Sequence, residues 1–204
     1  MSGFIKDPYK FTISEKDFIK VNFSNHLDWD KPIFNTIKTN IRDYLRPKQS
    51  NKCCYCKREL GYDIKDVDIE HIIPKSEYSN FSFEPKNLAL SCPACNTKKG
   101  EKKILNKKIV LYPTHSKNCT IVHAHYDNYN ENILIHNGCV FEALSSKGSN
   151  TITVCELFRL KVVEQKAKVK ISTKNKNSQL VNLIMSAGQE ELKNAMVELM
   201  KRIK

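Results

Sequence analysis

Two Cys-x2-Cys pairs, Cys53/Cys56 and Cys92/Cys95, constrain this chain more than any other feature. A run of 35 residues separates Cys56 from Cys92. Four thiolates in two short knuckles can close a tetrahedral zinc site with no position left for a substrate, which makes such a zinc structural rather than catalytic. Cys54-x-Cys56 is a second possible pairing; the usual knuckle gap of two residues favours Cys53. Free or disulfide-bonded thiols are the plainer alternative. Core cysteines, however, rarely fall by chance into two such pairs around an acidic-His segment.

That segment is Asp68-Ile-Glu-His-Ile-Ile-Pro-Lys75. A neutral imidazole such as His71 can take a proton from water near pH 7. The neighbouring carboxylate, Glu70, can ligate a hard cation such as magnesium. Hydrolysis of a phosphodiester needs both functions: a deprotonated water in line with the leaving group, and a cation against the charge on the leaving oxygen. Asn87 and Asn96 add amide oxygens, which are neutral ligands for such a cation, and NH2 groups that can tie down a loop. Cys92-Pro-Ala-Cys-Asn96 reads as a knuckle leading into a helix, with Pro93 tolerated in its first turn. Lys98 and Lys99 follow, where a phosphate backbone would meet them.

Cys53-x2-Cys56, Asp68-Ile-Glu-His-Ile-Ile-Pro-Lys75, Asn87-Leu and Cys92-x2-Cys95-Asn96-x2-Lys99-Gly100 together resemble the HNH endonuclease family with a four-cysteine zinc site. The resemblance covers about a quarter of the chain. It implies a ββα-metal core, a two-stranded ribbon and a helix around one catalytic divalent ion, Mg2+ or Mn2+. It implies that His71 is the general base, that Glu70 and Asn96 ligate the ion, and that Asn87 holds the loop carrying the base. The last position, often His in the family, is Asn here.

The chain has 204 residues, 40% of them hydrophobic, enough for one compact unit or a small core with two flanks. With 34 basic and 22 acidic residues its net charge is +12, which favours a polyanionic partner such as DNA. Six lysines and one glutamate between Lys98 and Lys108 extend that expectation, with Lys75, Lys98, Lys99, Lys102 and Lys103 as backbone contacts. No apolar run is long enough for a membrane span, and no secretory signal is evident. A cytoplasmic protein with reduced thiols is expected, which again favours zinc over disulfides.

The expected fold class is α+β, in four parts. Residues 1–50 form a helical flank: Asp30 caps a helix with Ile33, Phe34, Ile37, Ile41, Tyr44 and Leu45 at helical spacing, ended by Pro47. Residues 51–108 form the core, with the ribbon expected within Tyr62 to Ile73. Residues 109–148 are strand and hairpin. Ile109-Val-Leu-Tyr is a short strand, Thr120 to Tyr126 alternates, and a hairpin turns at Asn137-Gly138. His123 and His125 share a strand face and could bind metal, but with no third ligand in view they read as ordinary surface or packing histidines. Cys119, Cys139 and Cys155 lack ligand spacing and read as small buried residues. Residues 149–204 form terminal helices, after a linker at Lys147-Gly-Ser-Asn150 and a capping box at Thr153-x-x-Glu156. This arrangement is similar, more loosely, to the HNH subunit of Septu-type anti-phage systems, which implies an ATPase partner. Two other functions stay open: a zinc-stapled nucleic-acid-binding module without cleavage, and a protein-interaction subunit in which the zinc core is scaffold.

Overall fold

The computed structural model describes residues 3–161. The chain divides after Phe158 into two units, the second of which (159–204) is described only at 159–161. The second C-terminal helix expected from the sequence lies outside the described residues.

The first unit is α+β. Its centre is a two-stranded ribbon and a short helix: β1 (Asp68–His71), β2 (Leu88–Ser91) and α3 (Pro93–Lys99). The strands run antiparallel, with Asp68 opposite Ser91 and His71 opposite Leu88. This corrects the expected ribbon. Residues 62–67 do not pair with β1; they carry a single 3-10 turn at Ile64–Asp66, and the partner strand follows His71 across the loop 72–87. Asn87 closes that loop. Its Oδ1 accepts from Ile73 N–H (2.7 Å), and its Nδ2 donates to the Ile73 and Phe81 carbonyls (3.0 Å each). A fully buried amide meeting three backbone groups is a strong constraint, because each missing bond would strand a desolvated partner.

The N-terminal flank wraps the same loop. α1 (Ile13–Asn22) starts at a capping box of Thr12 and Glu15. α2 (Asn35–Lys48) is preceded by 3-10 turns at His26–Asp30 and Pro32–Phe34, so the expected single helix begins later and keeps Pro47 in its last turn. Ile37, Ile41 and Leu45 bury one face of α2. Phe83, on the loop, meets Phe11, Phe23, Trp29 and Phe34 with ring centroids 4.9 to 6.0 Å apart. The Phe11 and Phe23 pairs are edge-to-face, an arrangement that adds about 0.5–1.5 kcal/mol each beyond burial, and the other two are tilted. The apolar N-terminal segment and the Ser79–Pro85 loop therefore find each other.

Past the core, β3 (Ile133–His136) and β4 (Val140–Ala143) form the expected hairpin. Asn137 and Gly138 both take positive φ, 50° and 71°, which is why that dipeptide stands at the turn. Cys119, Cys139 and Cys155 are buried, as expected. Residues 109–112 and 120–126 are not strands. Helix α4 (Ser146–Val154) replaces the expected linker, with Ser145 as N-cap accepting from Gly148 N–H. No helix among the described residues is long and apolar enough to cross a membrane.

Candidate metal centre and catalytic pocket

Cys53 and Cys56 lie on a tight turn. Cys53 N–H donates to the Arg58 carbonyl and Lys57 N–H to the Cys53 carbonyl, with Lys57 at φ 56°. Cys92 is the N-cap of α3, Pro93 takes the first helical position, and Cys95 follows in the first turn. The four Sγ atoms lie within 4.8 Å of one another, and Cys56 Sγ is 3.9 Å from Cys92 Sγ. Sulfurs bound tetrahedrally at about 2.3 Å from zinc would stand about 3.8 Å apart, so the donor set fits that ion. Cys54 is not one of the four, although its thiol touches the Cys53 sulfur. It is buried outside the cluster, and burial pushes its thiol well above the ordinary range.

The cluster fixes the start of α3, and α3 faces β1 across a cleft of about 480 Å³. Glu70, His71, Asn96, Lys75 and Lys99 all line it, together with Asp68. Asn87 does not; it acts from behind, through the loop. Asn96 sits one residue past the second knuckle, and its Nδ2 donates to Asp68 Oδ2 at 2.9 Å. Asp68 thus joins the site, although nothing in the motif assigns it a role. The period-2 alternation of β1 is the signal that could have found it, since it puts Asp68 on the same face as Glu70.

Glu70 is 1% exposed, and its Oε1 is held by Lys99 Nζ (2.6 Å) and by Tyr55 Oη–H (3.1 Å). Its Oε2 is buried with no partner. A desolvated carboxylate oxygen without a donor is costly unless something positive meets it. The chemistry of Glu70 Oε2, Asp68 and the Asn96 amide oxygen therefore fits a hard divalent cation. Burial raises the Glu70 pKa, against the pull of Lys99 and Tyr55.

Lys99 corrects an expectation. It is 2% exposed, and its ammonium donates to Glu70 and to the His71 carbonyl, so it is no surface contact for a phosphate backbone. Lys98 pairs with Glu156 at 2.8 Å, Lys102 donates to the Val154 carbonyl, and Lys103 is exposed. α3 ends at Lys99, so the lysine run does not form one helical face. The expected effect of Lys99→Met follows from the geometry. It leaves Glu70 charged, buried and short of its main partner, which costs about 3–5 kcal/mol of folding stability. Urea unfolding of the metal-replete protein measures it; a change under about 1 kcal/mol would show that Glu70 does not depend on Lys99.

His71 is 7% exposed, and its Nε2 lies 3.0 Å from the Ser82 carbonyl. A carbonyl only accepts, so Nε2 carries the hydrogen and Nδ1 keeps its lone pair. Trp29 packs edge-on against the ring, centroids 4.4 Å apart. Burial holds the His71 pKa down at about 3; the Ser82 carbonyl opposes this, and the Lys99 and Lys75 charges add to it.

Behind the loop lies a polar network that no sequence signal identifies. His123 Nδ1 accepts from His125 N–H, so His123 Nε2–H points to the Tyr112 hydroxyl at 2.9 Å. Tyr112 in turn shares its single hydrogen between the Lys86 carbonyl (3.0 Å) and Asn87 Oδ1 (3.3 Å). His125 Nε2 donates to the Leu88 carbonyl. The two histidines are thus packing residues, as expected. Among the described residues no third His, Cys, Asp or Glu donor groups with these two rings. Burial, the first cause for both, lowers the pKa of His123 and of His125. Rings kept neutral in the fold but free to protonate in the unfolded chain, near pH 6.5, contribute stability above that value. It disappears as pH falls below it. Between pH 6 and 5 the two should together remove at most about 2 kcal/mol. The double variant His123→Gln/His125→Gln should show a correspondingly shallower pH dependence in urea unfolding, and an unchanged slope would contradict the assignment.

Residues 53–102 match the family model described as HNH endonuclease. This segment is an HNH domain. A similar protein is the "Septu protein PtuB" of Bacillus thuringiensis, 32% identical over 133 residues, which cover 65% of this chain and 44% of that protein. Another is the "Retron Vc95 putative HNH endonuclease" of Vibrio cholerae serotype O1 biovar El Tor, 27% identical over 176 residues, 79% of this chain and 82% of that protein. The chain thus spans less than half the length of the first relative and most of the second. No solved structure matches.

Proposed function

We propose that the HNH domain makes this chain a metal-dependent endonuclease that hydrolyses phosphodiester bonds in DNA. The observation that carries the reading is the pocket in which an imidazole with a free Nδ1, an orphaned carboxylate oxygen and a helix-borne amide converge beside a four-sulfur cluster. The sulfurs of Cys53, Cys56, Cys92 and Cys95 hold structural zinc. Glu70 and Asn96, with Asp68 beside them, would hold a divalent cation, which when bound would supply charge stabilisation for the leaving oxygen.

The chain's own residues do the rest. His71 Nδ1 accepts the proton of the attacking water, while the Ser82 carbonyl fixes its tautomer and ring plane. Asn87 holds the loop that carries Ser82, and Tyr112 and His123 brace Asn87. Lys99 neutralises Glu70 and pins the His71 carbonyl, so the base and the acidic residue before it keep one orientation. Nδ1 keeps its lone pair because Nε2 carries the hydrogen toward the Ser82 carbonyl.

Likeness to the Septu protein PtuB, with the Septu-type resemblance of the sequence, supports a place in anti-phage defence inside a bacterial cell, with an ATPase partner as that resemblance implies. The test is a plasmid digest with magnesium or manganese. Metal-dependent nicking by the wild type that is abolished by EDTA supports nuclease action. Binding of DNA with no cleavage in any metal would favour a zinc-stapled binding module instead.

A further inference from the structure

The cleft is bipolar. One wall, from β1 and α3, carries Asp68 and Glu70. The other, from the N-terminal flank, carries Lys38 and Arg42 on α2, with Lys75 beside them. Lys38 and Arg42 stand one helical turn apart, a spacing that sets two like charges side by side and is unfavourable by itself. Lys75 has a carboxylate partner, Asp30, at 3.3 Å. Among the described residues neither Lys38 nor Arg42 forms an ion pair. Lys38 Nζ donates to the Trp29 carbonyl at 3.2 Å, and Arg42 Nε is buried with no hydrogen-bond partner. Burial lowers the Lys38 pKa, and the charges of Arg42 and Lys75 lower it further against Asp30. A protein gains nothing for its own stability by crowding unpaired cations on one side of a cleft. A polyanionic strand lying across it would relieve the crowding.

We propose that Lys38 and Arg42, with Lys75, form a clamp for a non-scissile phosphate of the strand whose neighbouring phosphate lies at His71 and Glu70. The N-terminal flank, outside the HNH segment, is then part of the substrate site. This rests on the nuclease reading and adds where the strand is gripped. A guanidinium on the cleft wall suits two phosphate oxygens through its terminal N–H groups, and the adjacent ammonium adds a point charge. Such contacts carry no base information. They set register and make binding depend on salt.

The test uses the full chain carrying His71→Ala, with magnesium and a fluorescein-labelled DNA duplex, titrated at several salt concentrations. Adding Lys38→Ala/Arg42→Ala should raise Kd at least tenfold at low salt. It should also reduce the slope of log K against log salt by about 1 to 2, near 0.9 for each phosphate no longer neutralised. Lys38→Arg/Arg42→Lys, which keeps both charges, should restore most of the affinity. A control pair on the exposed face of α1, Lys16→Ala/Lys20→Ala, removes the same charge and should change Kd less than threefold. Where the chain with His71 intact cleaves DNA but the clamp variant keeps its slope, or matches the control pair, the clamp is wrong and the nuclease reading stands. A wild type that neither binds nor cleaves nucleic acid overturns both.

Discussion

Serine in place of Cys53 or Cys92 should leave little folded protein. Each substitution removes one of four sulfurs from a site that joins the 53–58 turn to the start of α3, and no other described contact performs that join so directly. Zinc in a small structural site contributes on the order of 10 kcal/mol, comparable to the entire stability of an ordinary domain. The damage should therefore appear as lower soluble yield, zinc content well below one per chain and a melting transition that is depressed or absent. Cys54→Ser is the informative contrast. Cys54 is buried like its neighbours but lies outside the cluster, so its substitution should keep full zinc content and cost only what a buried hydroxyl ordinarily costs, about 1–3 kcal/mol. A Cys92→Ser protein with one zinc and an unchanged melting temperature would contradict the site.

The contrast between those cysteines is legible in the sequence because ligand spacing is a covalent constraint. It fixes which sulfurs can meet whatever the rest of the chain does. The α3 helix is legible for the same reason, since the second knuckle, Pro93 and Gly100 bracket it. β2 is not. Leu88-Ala-Leu-Ser is four residues long, buried on both faces, and so shows no alternation to mark it. Pattern alone therefore puts the ribbon before His71 instead of after it. α1 does carry a signal, Thr12-x-x-Glu15, but its apolar residues are mostly exposed and give no clean period. At α4 a local rule misleads. Thr153-x-x-Glu156 has the letters of a capping box, yet the Thr151 and Thr153 hydroxyls donate back to the Lys147 and Ser149 carbonyls from inside a helix already begun at Ser145. Lys99 misleads because a lysine in a basic run is usually solvated. Only tertiary structure shows that its ammonium is buried against Glu70. Tyr112, for its part, reaches Asn87 from 25 residues away and His123 stands behind it, and no window of sequence carries that relation.

His71→Ala should abolish cleavage while leaving the metal centre and DNA binding in place. The general base contributes about 10²- to 10⁴-fold to a hydrolysis of this type, so single-turnover nicking should fall by at least a hundredfold in either magnesium or manganese. The geometry says why binding survives. The residues that would hold the cation, Glu70, Asp68 and Asn96, are oriented by Lys99, Tyr55 and the sulfur cluster rather than by the imidazole. The ring does touch Trp29 and the Ser82 carbonyl, so its removal opens a small cavity and leaves that carbonyl unpaired, at a cost of about 1–3 kcal/mol. A folding defect and a chemical one therefore separate in one experiment. Zinc content, melting temperature and duplex affinity are measured on the same preparation as nicking. If activity falls only in proportion to folded protein, His71 is structural. If nicking persists at near wild-type rate in a fully folded variant, another group takes the proton from water. If the rate collapses while zinc and affinity hold, His71 is the base.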